Sequence, residues 1–376
     1  MNKRFLSIAA MAACVAVSFT ACSDDNDDDE VHVASVDPSS DNIENWGKYM
    51  TIVSKLLVND ATTLYSDWNV EYNNTGRSYA AYFKSSEVSA QEAAQQIIEG
   101  CADIANEVGE SKIGEPVSLW TEGSKTKAVL AVESWYSWHS RDDYSNNIRS
   151  IRNSYYGSLD GTVAENSLSA LVKAAKPETD AKVVAAIADA IDKIQAIPQP
   201  FRNNLGSTEA VAAQESCDAL KTLLEGDLKV AVEGLDNDAL QKAVDNYVDV
   251  VVLPTYADLV AKNTALYAAV QVFAKNPSTV TFAACGVAWL AARAPWETSE
   301  AFLFGPVADK GLDPNMDSWP LDQDAIENIL SSGNFDGLNW EGEFDEDDEN
   351  IANAQSIRGF HTLEFLIFKD GQARTY

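Results

Sequence analysis

Helical periodicity is the feature that most constrains the fold of this chain. From residue 45 to residue 368, apolar residues recur every three or four positions, as on one face of an α-helix. Ala-rich stretches add to this preference, and no regular series of short strands separated by turns is visible. The sequence therefore predicts an all-α protein, most economically two helical bundles. The periodic segments are 45–57, 90–108, 126–151, 168–174, 179–194, 209–224, 238–274, 281–304, 325–330 and 350–368.

Two irregular segments interrupt the helical pattern. Residues 226–238 (GDLKVAVEGLDND) combine two glycines with acidic residues, and at about 150 residues per domain the chain has room for two domains. We therefore predict bundles at residues 45–234 and 235–376. Residues 331–349 are acidic but lack the ligand spacing and fixed glycine of an EF-hand, so a solvated loop is favoured over a calcium site. Pro254 and Pro295 are expected to kink or break their helices.

The charge balance excludes one class of partner. The chain holds 27 Lys and Arg against 58 Asp and Glu, for a net charge of −31. A chain so negative is repelled by phosphate backbones, so no nucleic-acid partner is expected. Cation binding remains open.

The first residues predict an export signal. Lys3 and Arg4 precede an apolar stretch, residues 8–20, that is too short for a membrane span. The small residues ending in Cys22 are typical of a bacterial lipoprotein signal, with residues 1–21 removed and Cys22 acylated. We expect a lipid-anchored protein of a Gram-negative cell envelope, in the outer membrane and facing the periplasm or the exterior. An ordinary cleaved signal peptide is the alternative.

Residues 22–44 form an acidic tether after this signal. Removal of residues 1–21 takes away two basic residues and no acid, which changes the charge from −31 to −33. Residues 23–30 (SDDNDDDE) are typical of a solvated spacer, and they also resemble surface-export signals. Beyond them, Cys101, Cys217 and Cys285 are widely spaced, so we expect buried core thiols and no disulfide framework or cysteine zinc site.

The chemistry-bearing residues concentrate near the C-terminus. In residues 359–368 (GFHTLEFLIF), His361 and Glu364 are three apart and share one helical face. The helix is apolar on most sides, and a buried glutamate is costly unless a cation or several donors compensate it. The pair therefore indicates a metal or proton site, with a hydrogen-bonded core pair as the alternative. His139, beside Trp138, is expected to be structural.

Two further segments accompany this motif. Glu297 and Glu300 lie on one helical face in residues 296–306 (WETSEAFLFGP), and residues 317–320 (DSWP) follow. With GFHTLEFLIF and the approach at residues 246–259 (NYVDVVVLPTYADL), they resemble the imelysin-like family, whose signature is GxHxxE. The resemblance covers residues 246 to 368.

The order of these segments differs from the usual order of the family. Members generally carry GxHxxE near the middle, whereas here it lies close to Tyr376. Residues 133–157 look like the family's late segment, and residues 167–224 resemble its closing helices. We therefore predict a circular permutation with the usual beginning near Leu235, which is tolerated where termini are close and exposed. Residues 45–120 match by position alone.

The resemblance implies two similar four-helix bundles with a shared site between them. It implies a metal set comprising His361, Glu364, Glu133, Glu300 and Asp317. It also implies a surrounding set comprising Ser137, Asp143, Trp296, Trp319, Arg358 and Gly359. Bundle packing remains the alternative for the two tryptophans, and solvation on a helix surface for Asp143. One histidine among carboxylates suits iron or another hard divalent cation.

Three functions follow from the resemblance. The first is a non-enzymatic iron-binding lipoprotein that serves iron uptake or homeostasis with partner proteins of the envelope. The second is a zinc peptidase, the activity for which the family was named, although the chain lacks HExxH and a clear set of histidine ligands. The third is a protein-binding adaptor in which GxHxxE is a structural clasp.

Overall fold

The computed structural model describes residues 35–376, and over that range the chain is helical apart from one two-stranded hairpin. The predicted all-α class is confirmed. The predicted signal peptide and the lipidation site at Cys22 lie outside the described residues. No helix between residues 35 and 376 has both the length and the apolar character needed to cross a membrane.

The first half of the described chain contains nine α-helices, two π-helices and a 3₁₀ turn. The α-helices are α1 Ile43–Asn69, α2 Tyr79–Phe83, α3 Ala90–Asn106, α4 Glu115–Thr121, α5 Lys125–Leu130, α6 Ser140–Tyr156, α7 Leu168–Ala175, α8 Pro177–Ala196 and α9 Thr208–Leu223. The π-helices are π1 Glu107–Gly114 and π2 Leu224–Leu228, and the 3₁₀ turn is Phe201–Asn203.

The second half continues in the same way. Its α-helices are α10 Lys229–Glu233, α11 Asn237–Asn246, α12 Leu253–Lys275, α13 Thr279–Glu297, α14 Pro306–Asp309, α15 Leu312–Asp317, α16 Gln323–Ser332, α17 Glu349–Gln355 and α18 Gly359–Ile367. Between them lie π3 Tyr247–Val252 and a 3₁₀ turn at Glu300–Phe302, and the chain ends in the hairpin of β1 Phe368–Lys369 and β2 Gln372–Ala373.

Helix α18 is the innermost element of the C-terminal region. All nine of its residues are buried, as its apolar sequence predicts. The indole Nε1 atoms of Trp46 and Trp289 donate to the carbonyl oxygens of Leu366 and Phe360, each at 2.9 Å. These bonds attach α18 to α1 and α13, and α12 packs against both of those helices. The arrangement fixes α18 with a helix on each side.

Both prolines lie inside helical chain, and each coincides with a change in the helix. Pro254 is the second residue of α12, directly after π3, where the hydrogen-bond register of a continuous helical run changes. Pro295 lies in the last turn of α13, and the helix ends two residues later at Glu297. The expected interruption is therefore seen near Pro254 as a change of hydrogen-bond register, and near Pro295 as the end of the helix.

The two irregular segments differ from one another. Residues 333–348 are turns and irregular chain, as predicted. Residues 226–233, by contrast, continue as helix through π2 and α10, and the chain turns only at 234–236. The periodic pattern weakened there because π2 changes the register of the buried face. The division into bundles at residue 235 stays a prediction.

Candidate functional site

The glycine of the GxHxxE motif places α18 directly against the end of α15. Gly359 has φ +90°, and a Cβ atom there would lie 2.5 Å from the carbonyl oxygen of Met316. This close approach places the start of α18 beside Asp317, which follows Met316 and is one of the predicted ligands. Arg358 precedes Gly359, and its guanidinium pairs with Asp60 of α1 and with Asn339. Arg358 therefore contacts α1 and the loop of residues 333–348.

His361 is fully buried, and both of its ring nitrogens have polar partners. Nδ1 lies 3.2 Å from Glu364 Oε2, and Nε2 lies 3.1 Å from Asp317 Oδ1 and 3.3 Å from Arg293 Nη2. The indole of Trp319 meets the imidazole edge-on, with ring centroids 4.8 Å apart. Burial and Arg293 act to lower the pKa of His361, but Asp317 and Glu364 outweigh them and raise it to about 9.

An arginine that the sequence analysis did not select organises the site. Arg293 on α13 is completely buried, with its guanidinium 5.4 Å from the centre of the Phe360 ring. Its Nη2 lies 2.6 Å from Glu297, its Nη1 pairs with Asp317, and its Nε lies 3.5 Å from Asp143. One guanidinium therefore joins carboxylates from three separate elements.

Glu364 is held from the opposite side by the segment that precedes α6. The backbone N–H and the hydroxyl of Ser137 both donate to Glu364 Oε1, at 2.8 and 2.7 Å. Ser134 donates to Asp143 Oδ2 at 2.6 Å. Ser134 and Trp138 both have left-handed backbone, with φ near +52° and +60°, so the loop is tightly turned where it reaches the site. The predicted positions Ser137 and Asp143 therefore contact the His361 network.

A single hydroxyl can be tested here. Ser137→Ala removes a hydrogen bond to a buried carboxylate, and such bonds contribute about 1.5–3 kcal/mol, so we expect the free energy of unfolding to fall by about 2 kcal/mol in urea titrations. The control is Ser124→Ala, because the Ser124 side chain is exposed and makes no capping hydrogen bond. Equal stability of the two variants would show that the Ser137 backbone N–H suffices to hold Glu364.

The two predicted tryptophans make different contacts. Trp296 Nε1 donates to Asp317 Oδ2 at 2.7 Å, whereas Trp319 Nε1 donates to the carbonyl of Ala131 at 3.2 Å. Trp296 therefore donates to a predicted ligand, and Trp319 packs edge-on against the imidazole of His361. Although burial acts to raise the pKa of Asp317, the charges of Arg293 and His361 hold it well below its usual range.

Beside Arg293 lies a cluster of three carboxylates. Among residues 35–376, the side chains of Glu297, Glu300 and Asp317 each offer an oxygen, and the three oxygens lie within 4.8 Å of one another. Asn147 Nδ2 donates to Glu297 Oε2 at 2.6 Å. Glu300 Oε1 is buried and has no hydrogen-bond partner in the described chain. Burial raises the pKa of Glu297 to about 8, against the charge of Arg293, and raises that of Glu300 well above its usual value.

Helix π1 contributes a second buried cation. Lys112 is only 4% exposed, and its Nζ lies 3.0 Å from Glu133 and 3.3 Å from Glu107. The predicted ligand Glu133 thus has an ammonium group as its polar partner. His139 lies at the margin of the site, partly exposed, with Nε2 3.8 Å from Asp143.

Carboxylates outnumber cations in this region. Seven carboxylates belong to the connected pairs and the cluster, against two permanent cations, Arg293 and Lys112, and two titratable imidazoles, His361 and His139. Hard cations prefer such oxygen donors, and one of these oxygens, Glu300 Oε1, has no hydrogen-bond partner among the described residues. The carboxylates are Glu107, Glu133, Asp143, Glu297, Glu300, Asp317 and Glu364.

Fold and site together define an all-helical protein with a buried, acid-rich centre that is organised by one arginine and one histidine. Residues 24–226 and 252–376 match the imelysin family, peptidase family M75. The chain belongs to the imelysin family.

Two similar proteins are informative. The crystal structure of an imelysin peptidase from Bacteroides ovatus is 50% identical with a TM-score of 0.88, and the match covers 91% of this chain and 99% of that chain. Iron-regulated protein A from Synechococcus elongatus is 32% identical over 127 residues, or 34% of this chain and 31% of that protein. The match therefore spans about a third of the length of this curated relative.

Proposed function

We propose that this imelysin-family protein is a non-enzymatic, lipid-anchored protein of the cell envelope that binds a hard divalent cation, with iron as its cargo, and passes it to iron-uptake partners. The observation that carries the proposal is the cluster of Glu297, Glu300 and Asp317, with its buried orphaned oxygen. Similarity to an iron-regulated protein supports the choice of iron.

The chemical type of the donor atoms suits a hard divalent cation. Carboxylate oxygens are hard ligands that suit iron(II), manganese or calcium better than soft metals. Arg293 compensates the charge of its carboxylate partners, and a cation that binds Glu297 and Glu300 would displace the protons that their raised pKa values favour. A bound cation would remove the cost of burying an unpartnered glutamate.

His361 and Glu364 then have a positioning role in addition to their place among the predicted ligands. With Nδ1 facing Glu364 and Nε2 facing Asp317, the imidazole fixes the carboxylate of Asp317 toward the cluster. Outer partners of this kind are worth about 10–100-fold in metal affinity in characterised sites. The GxHxxE motif would thereby act on the cation through Asp317.

Removing one oxygen ligand tests the site. Glu300→Gln keeps the side-chain volume but removes the charge, and we expect iron(II) affinity, measured anaerobically by calorimetry on the purified protein, to fall at least about tenfold. The matched control is Glu165→Gln, an exposed glutamate outside the site, which should bind as the wild type does. Equal iron affinity in the wild type and Glu300→Gln would refute the cluster as the cation site.

A double variant of the GxHxxE motif distinguishes a role in cation binding from a purely structural role. In the double variant His361→Ala/Glu364→Ala, weaker iron binding at a temperature where the protein remains folded would support the positioning role. A large drop in melting temperature with unchanged iron affinity would instead make GxHxxE a clasp and favour an adaptor that binds protein partners.

Peptide hydrolysis is the second candidate, because the 50% identical relative is described as an imelysin peptidase. The described site offers a single central imidazole, and its two nitrogens contact Glu364 and Asp317. Zinc-dependent cleavage of a peptide library that is lost on chelation and in His361→Ala would establish the peptidase and displace the cargo-binding proposal.

The membrane anchor rests on the sequence before Ser23 and has its own test. We expect cells grown with radiolabelled palmitate to label the wild-type protein, and Cys22→Ser to lose all of the label and to appear in the soluble fraction. No label in either protein would favour an ordinary cleaved signal peptide, and label retained in Cys22→Ser would show that the lipid is attached elsewhere. Fractionation of the outer membrane in the same cells tests the location.

A further inference from the structure

A pocket away from the acidic cluster combines aromatic walls with positive charge. It has a volume of about 350 Å³ and is lined by Trp120, Val129, Leu130 and Trp135 together with Lys125 and Arg202. That volume falls in the range of small-molecule sites, which are mostly apolar with a few polar groups that fix orientation.

Both charges at this pocket are positive, and both lie over an indole. Lys125 Nζ is 4.4 Å from the centre of a Trp120 ring, and the Arg202 guanidinium is 3.8 Å from a Trp135 ring. None of the described residues lining the pocket is acidic, in a chain whose net charge is −31. The pocket therefore brings together two cations without an acid in its own lining, and the acid that acts on Arg202 is Asp370.

Two donors at the pocket wall have no partner. Trp135 is 6% exposed, and its Nε1 makes no hydrogen bond among residues 35–376; the same is true of the buried Nε of Arg202. Buried donors in folded proteins nearly always have an acceptor, and an orphan calls for an explanation. Both nitrogens are enclosed by protein, so the polar contacts open to a ligand are those of the partly buried Arg202 and the exposed Lys125.

From these contacts we infer that the pocket binds a small anion with a flat apolar body, of the aromatic carboxylate class. Trp120, Val129 and Leu130 supply apolar surface for the ring, and Arg202 and Lys125 supply the charge that a carboxylate needs. Arg202 suits this role because its planar fork matches a carboxylate. The inference does not depend on the cation cluster.

A series of side-chain contacts links the wall of the pocket to the acidic site. Trp135 stacks on Tyr136 with ring centroids 4.1 Å apart, and Tyr136 meets Phe365 of α18 edge-on at 5.2 Å. Ser137, the next residue, donates to Glu364. Trp135 of the pocket wall and Ser137, which holds the GxHxxE glutamate, therefore belong to the same short segment.

The test compares an aromatic acid with its neutral counterpart. Calorimetry on the purified protein with 1-naphthoate and with 1-naphthamide should show one saturable site, about tenfold tighter for the acid because a charge-assisted hydrogen bond is made by the acid alone. In Arg202→Gln we expect the acid to lose about tenfold in affinity and the amide to be unchanged. The control Arg77→Gln removes an exposed arginine that pairs with Glu87, and it should bind both probes as the wild type does.

A second variant keeps the inference testable if Arg202→Gln fails to fold. Lys125 is exposed, so Lys125→Gln is expected to retain the wild-type melting temperature and still to weaken binding of 1-naphthoate. Equal affinity for the acid and the amide, or acid affinity unchanged in both variants, would overturn the inference. The absence of saturable naphthoate binding in the wild type would overturn it as well.

Discussion

Replacing Arg293 by methionine is expected to lower the free energy of unfolding by about 3–5 kcal/mol, because removal of one partner leaves buried carboxylates without compensation. Methionine fills much of the same volume but carries no donor. Asp143, Glu297 and Asp317 would all lose their shared guanidinium. Urea denaturation followed by far-UV circular dichroism measures the effect.

Two further variants show how much of that loss of stability depends on the burial of the ion pairs and on the planar shape of the guanidinium. Arg77→Met breaks a solvent-exposed ion pair with Glu87, and such pairs contribute about 0–1 kcal/mol. Arg293→Lys keeps the charge without the planar fork and should recover only part of the lost stability. If Arg293→Met were as stable as Arg77→Met, the buried acids would not need the guanidinium, and the charge argument for a cation site would fail with it.

The sequence does not show that Arg293 is buried at the centre of the site. It lies in AARAPWE on an apolar helix, and a lone arginine among alanines is equally consistent with a side chain that extends to solvent. The available signal was spacing, since Glu297 follows four residues later on the same face. The partners on other elements, Asp143 and Asp317, become neighbours only through tertiary packing.

The burial of Lys112 could not be predicted from the sequence for a different reason. It lies in EVGESKIG, where a 3.6-residue period predicts no inward face for a lysine. In π1 the wider turn changes the direction of successive side chains, and Lys112 is buried against Glu133 and Glu107. Periodicity analysis assumes a constant turn angle, so it fails where the helix type changes.

Several other features followed directly from local sequence. The run of apolar residues after His361 predicted a buried helix, and α18 is buried along its whole length. The i,i+3 spacing predicted contact between His361 and Glu364, which lie 3.2 Å apart. Contacts fixed by a short stretch of chain are predictable, because helix geometry alone determines them. The circular permutation concerns the order of whole segments and stays a prediction.

Replacing Gly359 by alanine is expected to destabilise the protein by about 3 kcal/mol, through backbone strain together with overpacking. The residue has φ +90°, which a side chain disfavours, and its new Cβ would lie 2.5 Å from the carbonyl oxygen of Met316. Neither atom can move easily, because the oxygen belongs to the backbone and the Cβ is bonded directly to it, where α15 meets α18. Thermal and urea unfolding measure the loss.

Two control glycines separate the two causes in that variant. Gly337 has φ +86° with nothing within 4 Å of an added Cβ, so Gly337→Ala reports the strain alone, at about 1 kcal/mol. Gly234→Ala has neither constraint and should be close to neutral. A loss in Gly359→Ala no larger than in Gly337→Ala would mean that Met316 yields to the new methyl group. A larger loss, accompanied by weaker iron binding in the fraction that stays folded, would show that the glycine of GxHxxE acts by holding Asp317 within reach of His361.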